Sequence, residues 1–292
     1  MLFLSQLING LQLGSIYALV ALGYSMVYGI IMLLNFAHGD IIMMGGYFAL
    51  VTYAASSNPL LAVVATIVGC VVLAVAIEKV AYKPLRQAPR ISLLITAIGI
   101  SLFLQNAAQL IWTANSRAFP STSIIPSITF KVGGLSISLS VLVTIAVSVA
   151  SMVALTFLVQ KTKMGKAMRA VSEDTEAAQL MGININSTIT FTFVIGSFLA
   201  GIGSVLYCCR YPVVNPTLGS LLGLKAFVAA VLGGIGSIPG AVVGGFAIGL
   251  AEVLFTSIGL SAWTDAMVFA VLIIMLLIKP TGFMGRSMTE KV

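Results

Sequence analysis

The chain has 292 residues, 59% of them hydrophobic and only 8% charged, where soluble proteins carry roughly 25% charged residues. So few charges cannot cover a water-facing surface, which excludes a soluble globular protein, and the hydrophobicity excludes a disordered one. The net charge of +7 does not mark a nucleic-acid binder, because the basic residues are scattered over connecting loops and not gathered on one face.

The composition predicts an all-α, polytopic helical membrane protein, folded as one transmembrane domain over 1–292. A spanning helix needs about 20 mostly apolar residues. Such stretches run over 6–33, 38–57, 60–80, 91–112, 138–159, 188–208 and 262–278. The stretch 220–258 is too long for one span. Gly233-Gly234-Ile235-Gly236-Ser237-Ile238-Pro239-Gly240 interrupts it, so it reads as two helices, or one broken helix and one full one. The N-terminus, Met-Leu-Phe-Leu-Ser-Gln, lacks the basic start and the small-residue cleavage site of a removable signal peptide and is not read as one.

Lys and Arg mark the cytoplasmic side of a membrane protein. Segment 78–90 carries Lys79, Lys83, Arg86 and Arg90, and segment 160–187 carries Lys161, Lys163, Lys166 and Arg169. With Lys279, Arg286 and Lys291 of the tail, these are eleven of the 15 basic residues. Arg117, Lys131 and Arg210 fall on the other side, and Lys225 lies inside a span. The crossings then count to nine, with the N-terminus outside and the C-terminus inside. They count to eight if the first pair or the 220–258 region is re-entrant. In the external loop 113–137, Ile128, Phe130 and Val132 alternate with polar residues, as do Leu135, Ile137 and Leu139. Gly133-Gly134 between them predicts a small external hairpin.

Four features bear on mechanism. Gly10/Gly14, Gly219/Gly223, Gly236/Gly240/Gly244 and Gly245/Gly249 repeat at four-residue spacing, which lets membrane helices approach closely. Asn35-Phe36-Ala37-His38-Gly39-Asp40 holds the single His and one of eight acidic residues between two apolar runs. It reads either as a broken helix lining a permeation path, with Asn35, His38, Gly39 and Asp40 as path or gate, or as a polar turn at the cytoplasmic interface. The cytoplasmic loop 161–187 is the most polar part, yet it is rich in helix formers. Ser172, Asp174 or Thr175 is placed to cap a short second helix and Gly182 to end it. Met168, Val171, Ala178, Leu180 and Met181 supply a modest apolar surface, suited to a partner's groove or to a solvated connector lying on the bilayer.

The fourth feature is what the chain lacks. It has no G-x-x-x-x-G-K-S/T phosphate loop, and the Gly-rich run 233–240 has no Lys. No His, Cys or acidic cluster has metal-ligand spacing, and no Ser/His/Asp set is apparent, so neither catalytic nor metal residues are assigned. Cys70, Cys208 and Cys209 read as small helix residues. Glu252 and Asp265 fall near external span ends and Lys225 a turn or two inside. Proton- or ion-coupled carriers show more ionisable residues well inside the bilayer.

Three stretches carry a resemblance. They are Asn35–Asp40 with Met43, Gly45 and Tyr47; Gly165-Lys166-Ala167-Met168-Arg169-Ala170 through Ala177-Ala178 to Gly182-Ile183; and Lys225 through Gly233, Gly234, Gly236 and Gly240 to Gly244-Gly245. Together they resemble the H-type permease subunits of branched-chain amino acid ABC importers. The resemblance implies an ABC-importer permease fold in the bacterial inner membrane and helix packing through Gly233, Gly234, Gly236, Gly240, Gly244 and Gly245. It implies a second, M-type permease subunit, two cytoplasmic ATPase subunits that bind the ATP, and a periplasmic binding protein that delivers the amino acid. The chain itself would need no cofactor. Glu176-Ala177-Ala178, with Gly182 four positions on, looks like the EAA-type loop that engages the ATPases, with Gly165 and Arg169 in the same coupling segment. The usual apolar-Pro ending is absent here, so the docking role is carried over and its detailed geometry is not. Importers of urea and short-chain amides use similar permeases, and an ATP-independent carrier or channel would be a different class.

Overall fold

A computed structural model describes residues 2–285 except 33, 87, 133 and 134. The predicted Gly133-Gly134 turn and the basic Arg286 and Lys291 lie outside the described residues. The chain opens with α1 (Leu2–Ile31), α2 (Ala37–Ser56), α3 (Pro59–Ile77) and α4 (Arg90–Trp112). A small region follows, with β1 (Arg117–Ala118), α5 (Ser121–Ile124), β2 (Thr129–Val132) and β3 (Leu135–Ser138). Then come α6 (Leu139–Lys161), α7 (Lys163–Glu173), α8 (Thr175–Leu180) and α9 (Ile185–Arg210). The last elements are β4 (Val213–Val214), α10 (Leu218–Gly233), α11 (Ile238–Ser257) and α12 (Thr264–Ile278).

Among the described residues, seven helices are long and apolar enough to cross a membrane: α1, α3, α4, α6, α9, α11 and α12. The chain is an all-α polytopic membrane protein. The two remaining expected spans, α2 and α10, are helices of another kind. α2 has 20 residues but opens on the polar His38-Gly39-Asp40. α10 has 16 residues, about 24 Å of helix against a hydrocarbon core of about 30 Å.

Local chemistry sets the starts. The Asn58 side chain accepts from the Leu60 and Leu61 N–H groups ahead of α3, with Pro59 at its first position. Ser237 accepts from Gly240 N–H ahead of α11, with Pro239 behind it. Ser138 caps α6 straight out of β3. Strands β2 and β3 pair antiparallel with Val132 opposite Leu135, as the alternating pattern predicts. The outer helices turn Val64, Val68 and Val72 of α3 and Ile95, Leu102 and Phe103 of α4 outward. In lipid those side chains are the ordinary boundary, whereas α1 is largely buried in the centre.

The helices fall into two sets of four with matching contacts. In the first set α2 packs on α3, α4 and α9; in the second α10 packs on α11, α12 and α1. α3 lies against α9 as α11 lies against α1. The leading helices run in opposite directions: Gly23 of α1 lies by Gly196 of α9, and Val20 by Gly203. The sets therefore form an inverted repeat, the architecture common among membrane transporters.

Small residues make the seams. A Cβ on Gly245 would strike the Ala18 backbone, and one on Gly249 the Gly14 backbone, so the α1–α11 seam uses the predicted rows. On α10–α11, a Cβ at Gly240 or Gly244 would meet the carbonyl of Gly233 or Ala229. One row is broken: Gly234 and Gly236 have φ of 105° and 88° and form the turn before α11. Gly236 therefore does not continue the helical stripe of Gly240 and Gly244.

Candidate functional site

Each set breaks between its first and second helix. α1 ends at Ile31 and α2 starts at Ala37; α9 ends at Arg210 and α10 starts at Leu218. Both breaks contain the same turn. His38 N–H donates to the Asn35 carbonyl (3.0 Å), and Leu218 N–H to the Asn215 carbonyl (3.2 Å). The N-termini of α2 and α10 then meet. Gly39 and Gly219 touch backbone to backbone, and a Cβ on Gly223 would come within 2.9 Å of the Gly39 Cα.

This places the 35–40 segment inside the protein and not at the membrane interface. Asn35, His38 and Asp40 are 2%, 2% and 1% exposed. Asp40 lies beside Gln105, about 10 Å short of the Trp112 end of α4 at 1.5 Å per residue. Non-helical backbone at such depth is tolerated only where protein or a water-filled cavity surrounds it. Of the two readings of this segment, the cytoplasmic-interface turn is the one corrected.

The four expected path residues separate. Gly39 forms the helix crossing. Asp40 points toward α4, where Gln105 Nε2 donates to Asp40 Oδ1 (3.0 Å) and lies 2.9 Å from Ser220 Oγ. One amide thus ties the first turn of α2 to the first turn of α10. His38 points the other way, edge-on to Tyr24 with centroids 4.8 Å apart and its Nε2 over Gly23. Asn35 Oδ1 accepts from Tyr82 O–H (2.7 Å). Among the described residues, Asp40 has no Lys or Arg within ion-pair distance, unlike Glu78, Glu252 and Asp265. Its compensation is the positive end of the α2 dipole and the Gln105 amide.

Sequence reasoning missed two ion networks. Lys225 Nζ of α10 stands 2.7 Å from both Glu252 Oε1 of α11 and Asp265 Oδ1 of α12, and Tyr17 O–H of α1 donates to Glu252 (2.8 Å). Near the opposite end, Glu78 pairs with Arg86 and accepts from Thr190 of α9 (3.0 Å). The two networks correspond under the repeat. A Glu at or just past the last turns of the third helix of each set, Glu78 after α3 and Glu252 in α11, takes a hydroxyl from the leading helix of the other. The only sequence signal was the presence of these carboxylates in apolar stretches.

At the end where Arg86 bonds Asn186 (2.7 Å), α7 and α8 form a bent pair. Thr162 caps α7, and Asp174 accepts from the N–H groups of Glu176 and Ala177, both at 2.9 Å, so Asp174 is the cap. Gly182, at φ 81°, closes α8 with Gly182 N–H to Gln179 O and Ile183 N–H to Ala178 O, the paired bonds of a Schellman ending. The expected apolar surface splits. Met168, Val171 and Ala178 are buried with Gly165, whereas Leu180 and Met181 are 89% and 82% exposed. Arg169, Glu176 and Ala177 are also exposed. The buried set clamps the pair to the helix bundle, leaving the α8 tip as the presented surface.

The chain matches the model of the branched-chain amino acid transport system / permease component family over residues 6–276. It is 43% identical over 302 residues to the high-affinity branched-chain amino acid transport system permease protein BraD of Pseudomonas aeruginosa, covering 99% of this chain and 98% of the relative. It is 44% identical over 301 residues to LivH of Escherichia coli K12, a permease protein described in the same words, with the same coverage. An archaeal protein, the probable branched-chain amino acid transport permease LivH of Methanocaldococcus jannaschii, is 32% identical over 93% of this chain and 89% of its own length.

Proposed function

The chain belongs to the family of permease components of branched-chain amino acid transport systems, and from that membership we propose that it is the membrane-spanning permease subunit of an ATP-binding-cassette importer for leucine, isoleucine and valine in a bacterial inner membrane. The observation that carries the reading is end-to-end similarity, 98–99% coverage at 43–44% identity, to proteins described as high-affinity permeases for these amino acids. In this reading the chain holds no nucleotide. Two cytoplasmic ATPase subunits bind ATP, a second M-type permease completes the membrane pore, and an external binding protein supplies the amino acid.

The geometry supports a division of labour. The α7–α8 pair, clamped by Met168 and Val171 and tipped by Leu180 and Met181, takes the ATPase stroke. The stroke reaches the core because α7 packs on α1, α6 and α9, two of which lead the inverted sets. Substrate crosses near the head-to-head N-termini of α2 and α10. Broken helices at a repeat interface characteristically bind substrate near the bilayer midplane, and Asp40, Gln105 and Ser220 are the polar groups gathered there. The test is uptake of labelled leucine by proteoliposomes holding the complete importer. Uptake should require ATP, both ATPases and the binding protein, and the chain alone should concentrate nothing. Gradient-driven uptake by the lone chain, or transport of urea or amides in place of leucine, would refute the reading.

A further inference from the structure

Arg210 ends α9 at the membrane face opposite the α7–α8 pair, and it lines a cavity of about 260 Å³ between the start of α1, the β2–β3 hairpin and the start of α6. The guanidinium is only partly used. Nη1 donates to Gln12 Oε1 (2.6 Å), while Nε is shut off from solvent with no partner. Among the described residues no carboxylate lies within ion-pair distance of it, and no acidic residue lines the cavity. A guanidinium offers five donors in a planar fork that matches a carboxylate, and Gln12 takes only one of them.

The rest of the wall is of two kinds. Asn9, Thr129 and Ser136 bring polar oxygens, and Ile8, Ile137 and Val141 form an aliphatic side. The volume lies below the roughly 300–1,000 Å³ of drug-sized pockets, on the scale of one small molecule. A cation, a few hydroxyl and amide oxygens and a branched aliphatic wall match, in turn, the carboxylate, the ammonium and the side chain of an aliphatic amino acid. We propose that this cavity is an external receiving subsite for a free aliphatic amino acid, with Arg210 anchoring its carboxylate. The proposal rests on the transport reading above for the identity of the ligand. It adds a contact point on the outer face, separate from the Asp40 cluster.

The test is equilibrium binding to the full chain in lipid nanodiscs, with neither nucleotide nor binding protein, using labelled leucine as probe. 4-Methylpentanoate, which keeps the carboxylate, should compete; isoamylamine, which keeps the amine and lacks the carboxylate, should not. Arg210→Gln should weaken binding on the order of 10- to 100-fold, the loss of charged hydrogen bonds. Ser136→Trp, at an exposed strand position, should block the cavity with Arg210 intact, so the test survives if Arg210→Gln does not fold. Undiminished binding in either folded variant, competition by isoamylamine equal to that of 4-methylpentanoate, or no binding to the unaltered chain would overturn the proposal. So would a result in which free ligands do not bind and Arg210→Gln instead breaks association with the binding protein, since the occupant would then be a protein carboxylate. Arg210-dependent carboxylate binding without leucine uptake by the whole importer would sink the transport reading alone. Leucine uptake without such binding would sink the subsite alone.

Discussion

Lys225→Met removes the one cation of a three-charge network, and the geometry fixes how much that should cost. Lys225 and Glu252 side chains are 11% and 13% exposed, and Asp265 is 49% exposed. Intact, the network holds one positive and two negative charges. The substitution leaves two carboxylates facing each other across apolar helices. Breaking a buried pair costs about 3–5 kcal/mol, because the remaining charge is uncompensated. Asp265 can turn to water, so the loss falls on Glu252, which keeps Tyr17 as donor, and the expected cost sits at the low end, about 3 kcal/mol. Glu252→Gln is different. It removes the surplus negative charge, leaves the Lys225–Asp265 pair, and keeps a carbonyl for Tyr17, so about 1 kcal/mol is expected, the worth of one hydrogen bond. The double substitution should cost less than the two singles together, because the orphaned carboxylate is gone. SDS titration of the purified chain in mixed micelles, followed by circular dichroism, measures all three. If Lys225→Met proves as stable as Glu252→Gln, or the double variant is additive, the network does not hold α10, α11 and α12 as described.

Three further outcomes follow from the same geometry. Gly39→Leu drives a side chain into the Gly219 backbone and should abolish transport and lower the yield of folded protein. Gln105→Leu keeps the bulk and removes the link from Asp40 to Ser220; leucine uptake should fall at least tenfold while the size-exclusion profile is unchanged. Leu180→Asp, at a position 89% exposed, should leave folding intact and uncouple ATP hydrolysis from the binding protein; coupling unchanged in liposomes would remove the α8 tip from the ATPase contact.

What the sequence disclosed was what lipid or local chemistry demands of a short stretch. A membrane helix must be apolar for about 20 residues, so α3, α4, α6, α9 and α12 stand out by themselves. Asp174, one of three cap candidates, and Gly182 mark the ends of α8 because a cap acts on its own neighbours, and the alternation of apolar and polar residues in 128–132 and 135–139 announces the β2–β3 pairing. What stayed hidden were meetings between distant positions. A polar stretch such as Asn35–Asp40 has the same local look at a membrane surface as at a buried crossing. The burial of Asn35, His38 and Asp40 and the contact of Gly39 with Gly219 tell the two apart. Lys225, Glu252 and Asp265 share no spacing that would pair them, since each sits on a different helix.

The inverted repeat is the sharpest case, because its trace is in the sequence and still hard to see. Asn35-Phe36-Ala37-His38-Gly39-Asp40 and Asn215-Pro216-Thr217-Leu218-Gly219-Ser220 share an Asn and, four positions on, a Gly. The Asn carbonyl turns the chain in both, and the Gly lets the two helix N-termini touch. Those two positions are the ones that backbone geometry constrains. The other four differ in identity, and the two that flank the Gly differ most in charge and polarity: His38 and Asp40 stand where Leu218 and Ser220 do. The first break therefore looks like a functional motif and the second like an ordinary apolar helix start. The divergence makes physical sense, because two like carboxylates at one head-to-head crossing would repel within an apolar core. A Ser opposite an Asp instead lets the single Gln105 amide serve both. Ser220→Asp should therefore destabilise the crossing more than Asp40→Ser, although each makes the two halves more alike. SDS titration of the two variants decides it, and equal stability would mean that the crossing is held by the glycine contact alone.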